Sequence, residues 1–275
     1  MNQQEKPLQI DLQKIFAARG GAFARMPRFA VRMLERLIRQ DELNAILRSA
    51  FPREGWEFAQ AALDYLDVNV RTVGEENIPA DPRVIFASNH PLGGLDGIAL
   101  IATLGKRYGN DGFRFLVNDL LMNVAPLQCV FLPINKFGAQ GRDAAREIAA
   151  VYDSGRAVAI FPAGLVSRMG SEGIRDLEWR KAFVSKALAT ERTVVPVFFE
   201  GLNRSRFYRA ARWRKRLGIG VNLEQTLLPG ELCAARGSDF TIHFGRPITP
   251  EELRTLGSDP ASMAAAVKER VYSLA

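Results

Sequence analysis

Apolar residues early in the chain recur at helical spacing, whereas later ones gather in short β-branched runs, and the change falls near Asp67. Between Pro27 and Arg39, Phe29, Met33, Leu34, Leu37 and Ile38 lie at helical period, and Arg28, Arg32, Arg36 and Arg39 recur between them, which predicts a basic amphipathic helix. A second helix is expected after Pro52, with Trp56, Ala59, Leu63 and Leu66 on one face. Beyond Asp67, strands are predicted at Val68–Val73, Val84–Ala87, Phe113–Val117, Cys129–Ile134, Ala157–Phe161, Thr193–Phe199 and Phe240–Phe244. Helices are predicted between them at Asp96–Tyr108, Arg142–Tyr152 and Leu177–Ala189, and a last one at Ala261–Leu274 with Asp259 as its cap and Pro260 in its first turn. Alternation of this kind predicts an α/β fold with a largely parallel sheet covered by helices. Residues 1–68 are expected to form an N-terminal helical, basic amphipathic segment, and residues 69–275 an α/β domain closed by a C-terminal helix.

Composition narrows the partners. The 275 residues are 47% hydrophobic and 24% charged, which excludes a disordered or collagen-like chain. A net charge of +7 favours an anionic partner. One segment concentrates that charge: Arg204–Arg216 holds seven basic residues and no acid, interleaved with Phe207, Tyr208 and Trp213. Cations with aromatic bodies suit an anionic lipid surface or a nucleic acid backbone. The longest uncharged stretch, Leu120–Asn135, has 16 residues and two prolines, short of the roughly 20 apolar residues a spanning helix needs. The polar start, Met1–Lys6, lacks the order of a secretory signal, so a cytoplasmic protein is expected. Cys129 and Cys233, far apart in apolar settings, are expected to be free core thiols.

Chemistry points to one turn. Only His90 and His243 offer imidazole as a base. His243 lies in an alternating strand and reads as structural. His90 follows the strand Val84–Ala87 within Ser88-Asn89-His90-Pro91-Leu92-Gly93-Gly94-Leu95-Asp96, and ligands in open α/β sheets bind outside the carboxyl ends of strands. Gly93 and Gly94 permit a turn that brings Asp96 to the imidazole. The carboxylate would then fix the tautomer and leave the other ring nitrogen to take a proton from a substrate hydroxyl. Alternatively, Asp96 caps the following helix and His90 is a structural turn residue. No serine in a nucleophile elbow, no phosphate-binding loop and no His/Cys metal cluster competes with this turn.

Over most of residues 69–250 the chain resembles the glycerolipid, or lysophospholipid, acyltransferase family. Asn89, His90 and Asp96 match its first block, although Pro91–Leu95 makes the interval between His and Asp one residue longer than the family's usual one. Phe131-Leu132-Pro133-Ile134-Asn135-Lys136 is similar to its second block, with Lys136 in the basic place. Phe161-Pro162-Ala163-Gly164-Leu165-Val166-Ser167-Arg168 resembles the third, with Ala163 where the family has glutamate. Val194-Val195-Pro196-Val197 fits the fourth.

The resemblance implies an acyltransferase that binds no cofactor and moves an acyl group from acyl-CoA or acyl carrier protein to the hydroxyl of a lysolipid. It gives His90 and Asp96 the catalytic roles. Asn89, Gly93, Gly94, Lys136, Gly164, Ser167 and Arg168 are expected to bind substrate, with Lys136 and Arg168 on phosphates. Backbone N–H groups of the Gly93–Gly97 turn or near Gly164 are the expected oxyanion donors. The first-choice acceptor is lysophosphatidic acid or a related lysophospholipid. Ala163 and the longer interval raise an alternative, a lyso-ornithine or lyso-glycine lipid. The enzyme is expected on the inner face of the cell membrane as a peripheral protein, with the Pro27–Arg39 helix and Arg204–Arg216 facing anionic lipid. A non-enzymatic nucleic-acid binder, the rival from another class, leaves His90, Asp96 and the ordered blocks unexplained.

Overall fold

A computed structural model describes residues 7–19, 25–134 and 142–275 of the chain. Four helices come first: α1 (Leu12–Arg19), α2 (Arg28–Leu37), α3 (Gln40–Ala50) and α4 (Gly55–Tyr65). The α/β part continues as β1 (Asn69–Val73), β2 (Val84–Ser88), α5 (Leu95–Tyr108), β3 (Phe113–Asn118), β4 (Phe131–Ile134), α6 (Arg142–Asp153) and β5 (Ala157–Ile160). A small hairpin, β6 (Arg168–Gly170) and β7 (Gly173–Arg175), precedes α7 (Ala182–Ala189) and β8 (Thr193–Glu200). The chain ends with α8 (Ser205–Arg216), α9 (Leu228–Ala234), β9 (Asp239–Phe244), α10 (Pro250–Thr255) and α11 (Pro260–Tyr272).

Seven strands make one sheet in the order β1-β9-β8-β2-β5-β3-β4. Every neighbouring pair is parallel except β8 with β9. β2, Val84-Ile85-Phe86-Ala87-Ser88, is buried along its length, as a central parallel strand must be when helices cover both faces. Its alternate residues divide the core. Phe86 joins Phe115, Val195 and Phe199 on the face packed against α3, α4 and α5, while Ile85 and Ala87 join Leu116, Val158 and Val194 on the face packed against α6, α7 and α11. Ile46, Leu47, Phe58 and Leu63 from the N-terminal helices belong to the first of these cores. α4 and α5 approach so closely that a Cβ at Gly105 would lie 1.9 Å from Trp56 Cβ.

Pro196 lies inside the sheet, where a missing N–H would break a ladder. The position tolerates it because β8 changes partner there: Val194 bridges Ile248, and the ladder with β9 begins only at Val197. The Pro196 carbonyl still accepts from Gly245 N–H.

Three local expectations differ from the structure. The helix expected at Leu177–Ala189 begins at Ala182, because Trp179 Nε1–H donates to Asp176 Oδ2 at 2.9 Å and Arg180 N–H donates to the Pro162 carbonyl, which holds the preceding residues off a helical path. The strand expected from Cys129 starts at Phe131; Cys129 is in the preceding 3₁₀ turn Ala125–Val130 and is exposed, not a core thiol, while Cys233 is buried. Phe207 and Tyr208 point inward against Val166, although the sequence placed them at a lipid surface with Trp213.

Candidate active site

β2 delivers the site. Where the strand ends, Asn89 locks the chain to β8: Phe199 N–H donates to Asn89 Oδ1 at 2.6 Å, and Asn89 Nδ2 donates to the Phe199 carbonyl at 3.0 Å. Asn89 therefore extends the sheet edge by side chain and is buried, a supporting position in place of the expected substrate contact. The main chain of His90 is held on both sides, its N–H donating to Asp176 Oδ1 at 3.1 Å and its carbonyl accepting from Ser167 N–H at 2.8 Å.

From there the turn folds back. Gly93 adopts a φ of +93°, and a Cβ there would meet Leu228 Cδ1 at 2.9 Å, so both conformation and packing call for glycine. The returning chain places Asp96 Oδ2 3.0 Å from His90 Nδ1, and the residue that lengthens the interval is absorbed in the turn. The same oxygen accepts from Leu92 N–H at 2.9 Å and Gly93 N–H at 3.2 Å, while Oδ1 accepts from Gly97 N–H at 2.9 Å. Asp96 is not the N-cap of α5, which is Gly94 with no side-chain cap; it lies in the first turn of the helix and faces the imidazole. Phe161, from the strand exit after β5, stacks on the imidazole with ring centroids 3.8 Å apart and 16° between planes.

These contacts set the electrostatics. Burial pushes the Asp96 carboxyl up, but the opposing charge of His90 and the hydrogen bonds from His90, Leu92 and Gly93 outweigh it, and the carboxyl ends below its ordinary value. An ionised Asp96 accepts, so Nδ1 is the donor to it and Nε2 is the ring nitrogen left free of the carboxylate. The His90 side chain is 14% exposed and Asp96 is fully covered. The imidazole is therefore partly open to solvent and the carboxylate is not.

Sequence reasoning missed Asp176. Its carboxylate accepts from three donors, His90 N–H, Ser167 Oγ–H at 2.6 Å and Trp179 Nε1–H, its carbonyl accepts from Lys268 Nζ at 2.8 Å, and its own N–H donates to the Tyr272 hydroxyl at 2.7 Å. Burial raises the Asp176 carboxyl, and these hydrogen bonds offset only part of that rise. Asn203, also missed, donates from Nδ2 to the Pro91 carbonyl at 3.0 Å and so holds the turn from the side of β8. Neither stands near His90 in sequence, so no spacing could have marked them.

Other expected residues fall in several places. Gly94 begins α5, and Gly164 takes a φ of +64° with its N–H on the Phe161 carbonyl. Ser167 is buried with its hydroxyl on Asp176, and Arg168 Nη2 donates to Glu224 Oε1 at 2.8 Å. Lys136 lies outside the described residues. His243 is on β9, 3.7 Å from Glu200 Oε2, and takes no part in the turn. The N–H groups of Gly93 and Gly97 are committed to Asp96, which removes them from the expected oxyanion donors.

The central strand of the sheet thus ends in a partly exposed histidine oriented by a fully covered carboxylate. The sequence model of the acyltransferase family matches residues 14–275, and the chain belongs to that family. Its relatives include the Lyso-glycine lipid O-acyltransferase of Phocaeicola vulgatus, 42% identical over 266 residues, with 96% of this chain and 95% of that protein covered. The protein of the same name from Bacteroides thetaiotaomicron is 40% identical over 267 residues, covering 96% of this chain and 97% of that one. The crystal structure of the 1-acyl-sn-glycerophosphate (LPA) acyltransferase of Thermotoga maritima aligns with a TM-score of 0.48 at 17% identity, over 90% of this chain and 95% of that one.

Proposed function

We propose that this acyltransferase esterifies the free hydroxyl of a lyso-amino-acid lipid of the lyso-glycine type, drawing the acyl group from acyl carrier protein or acyl-CoA at the inner face of the cell membrane. The observation that carries the chemistry is the 3.0 Å contact of Asp96 Oδ2 with His90 Nδ1, which orients the imidazole and leaves Nε2 as the nitrogen to act as base. The acceptor hydroxyl donates to Nε2 and loses its proton there as its oxygen bonds to the thioester carbonyl carbon. The tetrahedral intermediate collapses with cleavage of the C–S bond, and the proton on Nε2 passes to the departing thiolate. Asp96 stabilises the transient imidazolium, and no acyl-enzyme forms.

The relatives favour the acceptor weighed second in the sequence reading, the amino-acid lipid, over lysophosphatidic acid. Two features of the site support that choice. Ala163, where the resembling family has glutamate, is buried. Arg168, expected on a phosphate, instead has its charge neutralised by Glu224. A lyso-glycine lipid carries a hydroxyl and a carboxylate but no glycerol phosphate, and asks for no such phosphate site.

The test is acyl transfer with paired donors and acceptors, read by lipid mass spectrometry. Lyso-glycine lipid is expected to outcompete lysophosphatidic acid in one reaction, and exclusive use of lysophosphatidic acid would sink the acceptor assignment. His90→Ala is expected to lower kcat by about 10²–10⁴; undiminished transfer by that variant would remove the base.

A further inference from the structure

On the far side of α8 from the catalytic turn lies a surface that the reaction does not use. Phe207, Tyr208 and Ala211 form the buried face of this helix. Arg209, Arg212, Trp213 and Arg216, spaced i, i+3, i+4 and i+7, share the opposite, exposed face. The chain then runs on through Leu217-Gly218-Ile219-Gly220-Val221-Asn222-Leu223, whose four aliphatic residues recur at every second position and are all exposed; Leu217 and Val221 are 66% and 69% accessible, and Trp213 61%. Isolated exposed leucines need no explanation, but an aromatic and four aliphatics within eleven residues make a patch.

The charge around the patch has one sign. Residues 201–223 contain no acid. Glu224, which follows them, is buried between Arg168 and Arg214 and presents no negative charge outside. Arg209, Arg212, Lys215 and Arg216 are exposed and make no ion pair among the described residues.

From this placement we infer that the outer face of α8 and the loop Leu217–Leu223 form the docking surface of the enzyme on an anionic lipid bilayer. The aliphatic loop and Trp213 enter the headgroup boundary while the four cations meet lipid phosphates. Nucleic acid fits the cations but gives the aliphatic loop nothing to stack on, since stacking needs rings. A second copy of the chain would bring the same four cations face to face. Only a bilayer answers both halves of the patch.

Docking here has a consequence for the reaction, and that consequence rests on the function proposed above. The inner face of this unit is bonded to the catalytic turn: Asn203 reaches the Pro91 carbonyl, Leu228 packs on Gly93, and Phe207 packs on Val166 next to Ser167. α8, about 10 Å across, thus lies between the lipid surface and residues packed against the turn that carries His90.

Sedimentation with phosphatidylcholine–phosphatidylglycerol vesicles, compared with phosphatidylcholine alone, tests the surface. The protein is expected to pellet with the anionic vesicles and to be released by salt. The triple variant Arg209→Gln/Arg212→Gln/Arg216→Gln should lower partition about a hundredfold, and Trp213→Ser/Leu217→Ser/Val221→Ser at least tenfold. All six side chains are exposed, so unfolding midpoints should stay within a few degrees of the parent. Transfer to a detergent-dispersed acceptor should be unchanged in both. Parent-like pelleting of either triple variant overturns the inference. It is equally overturned if the charge variant loses oligonucleotide binding, or the apolar variant loses a dimer, with vesicle binding intact. Absence of transfer by the parent in detergent would instead count against the proposed reaction and leave the docking result standing.

Discussion

At the scale of single residues, the site consists of two buried carboxylates with opposite electrostatics. Asp96 is held ionised, and the folded state contains donors arranged for its charge. Because its folded value lies below the ordinary 3.8, the stabilisation it gives is complete above that pH and is lost as the pH falls through the lowered value. Asp96→Asn is therefore expected to cost about 2 kcal/mol at neutral pH, by setting an amide N–H₂ against donors. The gap between parent and variant in urea midpoint should stay constant down to about pH 4 and narrow only below it; a gap that closed already at pH 6 would show the pair is not held as described. Asp176 has the opposite sign, with burial lifting its folded value above 3.8, so its burial costs little stability at acid pH and more as the pH rises through that raised value. Its contribution is positional. Asp176→Asn sets an amide against the indole N–H of Trp179 or against the His90 N–H and Ser167 hydroxyl, and a shift of the imidazole should lower kcat at least tenfold with little change in KM. A change confined to KM would show that Asp176 does not position His90. His90 and Asp96 were legible in the sequence because one turn carries both. Asp176 and Asn203 were not, because each meets that turn only after the chain has crossed the sheet.

Elements were legible where burial dictated their composition. β2 and β8 fall where β-branched and apolar runs placed them, since a strand covered on both faces has few polar alternatives. The hairpin β6–β7 left no such trace: it is short, largely exposed, and rich in charged residues and glycine. The segment Arg204–Arg216 shows the limit from another side. Its charge run contains no acid of its own, and its partners arrive from later in the chain: Glu231 Oε1 accepts from Arg206 Nε at 2.6 Å and Glu231 Oε2 from Arg204 Nε at 3.2 Å, while Glu224 Oε1 accepts from Arg168 of β6 at 2.8 Å. Arg214 Nε lies 2.8 Å from Glu224 Oε2, an ion contact outside hydrogen-bond angles. Glu224 thereby ties α8 to the β6 strand. Glu224→Gln leaves two largely covered guanidinium groups without their counter-charge and should destabilise the fold by about 3 kcal/mol, read from denaturant midpoints. The companion Arg168→Met/Arg214→Met/Glu224→Leu, which removes both cations and the anion together, should recover much of that loss; equal losses in the two proteins would mean that uncompensated charge is not what destabilises Glu224→Gln.

At the scale of the molecule, the N-terminal helices serve two different ends, and truncation separates them. α2 buries only Val31, and Phe29 and Met33 stand exposed on it at 75% and 62% beside Arg28, Arg32 and Arg36. α1 is attached through Ile10 and Leu12, whose backbone groups bond Asn44 and Gln40. α3 and α4 instead place Ile46, Leu47, Phe58 and Leu63 in the core under β2 and β8, and Asn110 accepts from Trp56 N–H at 2.9 Å. A chain starting at Gln40 should therefore fold, with a lowered midpoint and His90 still active on a dispersed acceptor. A chain starting at Asp67 would lose several large core side chains at about 2–5 kcal/mol each, more than the 5–15 kcal/mol a domain has in total, and should be recovered unfolded or insoluble. Vesicle sedimentation of the shorter folded form then weighs the two basic apolar surfaces against each other. With the α8 face and the Leu217–Leu223 loop intact, binding to anionic vesicles should be weakened by loss of Phe29, Met33 and their arginines but not abolished. Complete loss of vesicle binding from a folded chain beginning at Gln40 would transfer the docking role to α2.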